Sequence, residues 1–356
     1  MVRRLFPLFV VLLASCLSAL PATSAGFKCT TDADCMVGAL SCVASVCGAS
    51  SGAADGGSDA GLPDAGTLDA GGQGDAGAET GLRLAFFRAD YPFPLDSFPT
   101  REFPSRGRYV SDVATLRAQV QELQYGHVNA GIISWFGRMT PSNADATRVF
   151  QVGTSLKWAL FYEREPLDTP SAAEIATVLT DARTTFAQSA ANYLWLDGGF
   201  VFFVAQSRSN VAGCDVATRW VQGNRMSGSR AFLVLATPDD GGAVASCPDQ
   251  PNAWRSGADA FYGETAEVTT ISPGAWPWNG PRVLTRDISA FQGAVSRAND
   301  AGISLQYINS FNSWQHGTAV ESGHTRLADG GMGTSWASDS GMGAFLDVLH
   351  ALPFTR

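Results

Sequence analysis

From Leu82 onward, short apolar runs alternate with stretches of helical period, and few folds accommodate that order. Strands are expected at Leu82–Phe87, Ala130–Trp135, Leu156–Tyr162, Phe200–Ala205, Ala231–Ala236, Ala258–Tyr262, Thr269–Ser272 and Ile303–Asn309. Between them lie helical segments. Ser111 is placed to cap a helix that sets Val113, Leu116, Val120 and Leu123 on one face. Further helices are expected near 142–150, over 171–188, over Cys214–Asn224 and over 342–351. Pro281 is placed to open one carrying Leu284, Ile288, Phe291 and Val295. Eight strands alternating with helices over residues 82–356 predict an α/β fold of the (β/α)8 TIM barrel type, with working loops at the C-terminal strand ends. An open doubly wound sheet is the alternative.

What precedes the barrel has a different texture. Arg3 and Arg4 lead an apolar run from Leu5 to Leu20, interrupted by Pro7, Ser15, Cys16 and Ser18. It is too short to span a bilayer and fits an export signal over 1–25. Leu13-Ala14-Ser15-Cys16 resembles a bacterial lipobox, with Cys16 as the lipidated residue and a point of membrane attachment. Thr23-Ser24-Ala25 offers ordinary cleavage instead. The expected location is therefore extracellular, periplasmic or on the outer membrane of a bacterium. Of seven cysteines, removal of Cys16 leaves six: Cys29, Cys35, Cys42 and Cys47 in a module over 26–47, and Cys214 with Cys247 in the barrel. An even count in an exported chain reads as three disulfides. Zinc is the alternative for the cluster of four, but its spacings lack paired Cys-x-x-Cys knuckles.

Residues 48–80 repeat Asp-Ala-Gly and hold six acidic side chains with no basic one, so they read as a self-repelling tether. Gly48-Ala-Ser50-Ser-Gly52 imitates a nucleophile elbow, and Gly72-Gln-Gly74-Asp-Ala-Gly77 a dinucleotide fingerprint; neither has the flanking strand and helix those motifs need. The net charge is −9, and no basic cluster exists to meet phosphates, which argues against nucleic acid as a partner. No cofactor is called for. The four histidines, 127, 316, 324 and 350, have no metal-ligand spacing.

The residues expected at the strand ends carry the functional signal. Ser134-Trp135-Phe136-Gly137 follows the second strand, Phe161-Tyr162-Glu163 the third, and Ser310-Phe311-Asn312-Ser313-Trp314-Gln315-His316-Gly317-Thr318-Ala319-Val320-Glu321 the last. Aromatic faces beside carboxylates suit sugar rings. Trp158, Trp195 and Trp220 read instead as core or scaffold. The candidate sugar-binding set is Trp135, Phe136, Tyr262, Asn312, Trp314 and Glu321, with Glu321 equally suited to brace its loop.

These segments resemble glycoside hydrolase family 99 and its bacterial relatives, the endo-α-mannosidase-like barrels. That family carries Ser-Trp-Trp-Gly after strand two, a Glu after strand three, a Ser/Gly-Pro-Gly turn that Ser272-Pro273-Gly274 matches, and the hallmark Ser-Phe-Asn-Glu-Trp-x-Glu-Gly-Thr. The resemblance covers about 110–350 and implies a barrel acting on poly- or oligosaccharides. In the family the two hallmark glutamates are the catalytic base and acid; here those positions hold Ser313 and His316. Glycosidic cleavage usually needs two carboxyl groups flanking the bond. Glu163 remains as a carboxylate at the mouth, and His316 could act as an acid near neutral pH. Two readings follow: a glycosidase with altered catalytic residues Glu163, His316 and Ser313, acting on α-mannoside-like or other glycans, or a glycan-binding pseudo-enzyme. A third is a surface protein whose cysteine module binds another protein while the barrel only displays that module.

Overall fold

The computed structural model describes residues 40–43, 46–49, 81–90, 102–107, 109–153, 155–208, 211–237, 244–256, 262–265, 267–276, 283–326 and 331–354. The chain divides into two units, 1–73 and 74–356. In the first, Leu40–Val43 and Val46–Ala49 pair antiparallel, with Cys42 opposite Cys47. Cys16, Cys29, Cys35 and residues 50–80 lie outside the described residues.

The second unit is a nearly closed parallel barrel. Its strands are β1 (Leu82–Phe87), β2 (Ala130–Trp135), β3 (Lys157–Tyr162), β4 (Gly199–Val204), β5 (Ala231–Ala236), β6 (Ala253–Arg255), β7 (Val268–Ile271) and β8 (Leu305–Ile308). They lie side by side in chain order, every pairing parallel, from β6 back through β1 to β8 and β7. Side chains close the remaining seam between β6 and β7. Thr270 Oγ1 donates to the Ser256 carbonyl at 3.1 Å, the Trp254 amide donates to Glu267 Oε2 at 3.2 Å, and Thr265 Oγ1 donates to the Trp254 carbonyl.

The sixth strand differs from expectation. Residues 257–261 lie outside the described residues, and Tyr262–Glu264 pairs antiparallel with β7 as an outer hairpin. The barrel strand is Ala253–Arg255, three residues long and ending in a charge, too brief to show a period.

Around the barrel run α1 (Val113–Tyr125), α2 (Pro141–Val152), α3 (Ala172–Ala182) with a wider turn at Arg183–Ala187, α4 (Gly213–Ser227), α5 (Ile288–Asp300) and α6 (Ala344–Ala351). The cap of α1 is Asp112, one residue beyond the expected Ser111, because its carboxylate accepts from the Thr115 amide at 2.8 Å. Asp287 caps α5 in the same way, so Leu284 lies before the helix, and Pro281 is outside the described residues. Ser171 and Glu174 form a reciprocal capping box on α3.

Strand alternation sorts the apolar side chains into two layers. Leu84, Phe86, Ile132, Phe161, Phe203 and Tyr307 fill the barrel interior. Phe87, Trp135, Trp158, Phe202 and Trp220 join the layer under the helices. Trp158 needs glycine neighbours: a Cβ at Gly131 would stand 2.0 Å from its ring. Trp195, expected as scaffold, is 43% exposed on a hairpin edge against Phe200. At the foot of the barrel the fully buried Arg83 donates to Gln306 Oε1, to the carbonyls of Gly126 and Leu349, and to that of Leu352. One guanidinium thus satisfies carbonyls at the ends of α1 and α6, and burial pushes its pKa down to about 10.

Cys214 of α4 is bonded to Cys247, a sequence separation of 33 that encloses β5. Loop-closure entropy for such a ring is about 3–4 kcal/mol. Cys247→Ala should therefore lower unfolding stability by about 3 kcal/mol in chemical denaturation. A thiol count on the unfolded, unreduced wild type should find neither cysteine of this pair reactive.

Candidate active site at the barrel mouth

The inward-facing positions of the strands continue past their ends and define the mouth. Leu84 and Phe86 of β1 lead to Arg88; Ala130 and Ile132 of β2 to Ser134; Ala159 and Phe161 of β3 to Glu163; Ala253 of β6 to Arg255. Ser134 Oγ donates to Glu163 Oε1 at 2.7 Å. Burial raises the Glu163 pKa, and the Arg88 charge and the Ser134 bond partly oppose that rise. Arg88 forks onto Asp90, Nε to Oδ1 at 2.9 Å and Nη2 to Oδ2. A cavity of about 470 Å³ opens among the loops after β1, β2 and β3, lined by Asp90, Ser134, Phe136, Ser142, Asp145 and Arg164. Burial, and the facing Asp90 charge, raise the Asp145 pKa, while Arg148 lowers it.

The loop after β8 supplies the other side. Asn312 is fully buried and brackets Arg88: its Oδ1 accepts from the Arg88 amide at 2.7 Å and its Nδ2 donates to the Arg88 carbonyl at 2.9 Å. The Ser313 amide donates to Ser310 Oγ at 2.8 Å, starting the short turn Trp314–His316 that Gly317 ends at φ 62°. Ser313 Oγ and His316 Nδ1 are 3.0 Å apart, so the two side chains bond each other. His316 keeps an open edge to solvent. The protein packed around it and the Arg88 charge nonetheless disfavour the imidazolium, so its pKa lies below the ordinary value. At neutral pH this ring is an acceptor or base, not a ready proton donor.

Glu321 closes the same loop from beneath. Its carboxylate, 1% exposed, accepts from Trp314 Nε1 at 2.8 Å, Tyr109 Oη at 3.0 Å and Gln119 Nε2 at 3.1 Å, and pairs with Arg106 Nε at 2.8 Å. Arg286 lies against the other face of the assembly, 4.2 Å from the Trp336 ring, 4.5 Å from Phe345 and 5.6 Å from Trp314, with Glu102 at 3.6 Å.

These placements revise the expected sugar-binding set. Trp135 is fully buried among Tyr162, Phe186 and Phe202, with Nε1 donating to Asn143 Oδ1 at 3.2 Å; it has no face to offer a ring. The reason is parity: Ser134 takes the inward position, so its neighbour points outward. Trp314 is also fully buried, held between Glu321 and Arg286. Tyr262 packs against the outer layer beneath Arg297 of α5. Asn312 and Glu321 brace backbone and loop. Phe136 does line the cavity. Glu163, Ser313 and His316 remain at the mouth. Arg88, Asp90 and Arg255 were not singled out from sequence. Continuing the period of β1 by two residues reaches Arg88, whereas Arg255 sits in the strand too short to recognise.

No family model matches the chain, and no curated protein does. Solved structures do. The structure of the GH99 endo-alpha-mannosidase from Bacteroides thetaiotaomicron superposes with a TM-score of 0.61 at 14% identity, over 76% of this chain and 96% of that one. The same enzyme in complex with BIS-TRIS-Propane gives the same score and identity, over 95% of its chain. The fold is the (β/α)8 barrel that these two structures share.

Glu122 of α1 shares Arg106 with Glu321, and burial together with the Glu321 charge raises its pKa to about 7. Its unfolded value is about 4.3. The stability this raised pKa contributes is complete below about pH 4 and is lost as pH rises through about 7. Glu122→Gln should flatten that decline in melting temperature between pH 5 and about 7.5 and leave the value near pH 4.5 little changed.

Proposed function

We propose that this protein is an exported, glycan-binding barrel of the glycoside hydrolase family 99 type in which Ser313 and His316 replace the family's pair of catalytic glutamates. The observation that supports this most directly is the hydrogen bond between Ser313 and His316 at the end of β8. Cleavage of a glycosidic bond needs an acid and a base held on either side of it. Here the hydroxyl and the imidazole are turned toward each other, and the imidazole resists protonation. Of the described carboxylates nearby, Glu321 is consumed by four donors, and Asp90, Asp145 and Asp168 are paired with Arg88, Arg148 and Arg164, which leaves Glu163 the one without an arginine partner. Binding requires neither an acid nor a base, and a cavity with Phe136 and several polar groups supports it.

The Cys214–Cys247 bond supports export, since such bonds persist outside the cytosol. Attachment through Cys16 follows if the lipobox is the site of processing.

One observation favours a second reading. Glu163 has the raised pKa expected of a carboxyl acid, so Glu163 and the neutral His316 could form an unconventional pair. A hydrolysis screen on α-mannoside and other reporter glycosides, run beside a glycan-binding array, separates the two. Glycan binding with turnover at least about 10⁴-fold below a two-carboxylate enzyme is expected, since each missing group costs roughly 10²–10⁴. Vigorous hydrolysis that collapses in both His316→Ala and Glu163→Gln would establish the second reading instead.

A further inference from the structure

Buried guanidinium groups are ordinarily paired. Most in this barrel obey that rule: Arg83 meets four oxygens, Arg219 meets Glu165, Arg88 meets Asp90 and Arg286 faces Glu102. Arg255 does not. It is 7% exposed, on the inward face at the C-terminal end of β6. Its guanidinium lies between two rings, 5.0 Å from Phe161 and 5.0 Å from Tyr307. Nε is buried without an acceptor, and among the described residues no carboxylate comes within ion-pair distance. The charge is felt through space by Glu163 and Tyr307, but Glu163 is already bonded to Ser134.

Two aromatic faces stabilise a cation but accept none of the hydrogen bonds in its plane. They also fix that plane, so the guanidinium offers an edge, which matches the two oxygens of a carboxylate or a sulfate ester. It stands at the floor of the mouth, on the same inward series as Ser134 and Glu163. We propose that the mouth takes a glycan whose ring carries an anionic group, and that Arg255 receives that group. The inference rests on the glycan-binding reading above and names the ligand class for it. Arg255 is then a specificity residue: it selects charge, while the neighbouring cavity holds the sugar.

The test is calorimetric titration of the full-length protein, at low and at high salt, with three matched probes: trigalacturonate, a sulfated galactose oligosaccharide and neutral galactotriose. The wild type should bind one or both charged probes about tenfold or more tighter than the neutral one, with the margin narrowing as salt rises. Whether trigalacturonate or the sulfated probe leads distinguishes the two sources of charge. Arg255→Gln should abolish the margin and leave neutral binding within about twofold. If near-ultraviolet circular dichroism shows that Arg255→Gln does not fold, Arg255→Lys decides, since it keeps the charge and loses the fork: charged binding should drop several-fold with neutral binding unchanged. Equal affinity of the wild type for charged and neutral probes, or a margin that survives in the folded variant, overturns this inference and leaves glycan binding standing. No affinity for any of the three, nor for any sugar on the array, overturns both.

Discussion

The carboxylate of Glu321 is the interaction on which the mouth depends. It sits inside the protein and gathers an indole, a phenol, an amide and a guanidinium from three separate segments. Tyr109 and Arg106 come from the stretch before α1, Gln119 from α1 itself, and Trp314 from the loop after β8. A buried carboxylate is tolerable only with its oxygens satisfied, so the four donors and the charge hold one another in place. Arg286 then packs on the far side of Trp314, and Gly323 lies so close that a Cβ there would meet the ring at 2.1 Å. The loop that presents Ser313 and His316 is therefore fixed from below.

The barrel wall divides labour by parity. Side chains at alternate strand positions go to the interior or to the layer beneath the helices, and the series continues past the strand ends into the mouth. That rule brings Arg88, Ser134, Glu163 and Arg255 to one concave surface although they are far apart in the chain. It also explains the fate of the tryptophans. Trp135 follows an inward serine and so fills the outer core, where large flat rings pack against helices and against glycines such as Gly131. An aromatic residue at a strand end is a sugar platform only if its parity is right, and here it is not.

Electrostatics separates this mouth from that of a two-carboxylate glycosidase. Catalysis by a carboxyl pair needs one member protonated and the other ionised on opposite sides of the bond. At this mouth Ser313 supplies a hydroxyl and His316 a ring whose protonation burial disfavours. Positive charge is instead plentiful at the floor, with Arg88 tied to Asp90 and Arg255 between its two rings.

The amino-acid sequence alone determined the layout. The apolar runs of β1, β2, β3 and β5 are long enough to declare themselves, because each is buried on both faces, and their alternation with amphipathic helices admits few folds beside a barrel. It also disclosed that positions 313 and 316 lack carboxylates, since identity is read directly from the chain. Tertiary structure decided the rest. The strand Ala253–Arg255 is too short to carry a period, so both the sixth barrel strand and its arginine were invisible until neighbouring strands supplied their hydrogen bonds. Whether Glu321 touches a ligand or braces a loop depends on Arg106, Tyr109 and Gln119, more than two hundred positions away in the chain. Local sequence records which groups are present. Their partners, and so their burial, charge state and freedom to meet a ligand, are set by contacts that only folding creates.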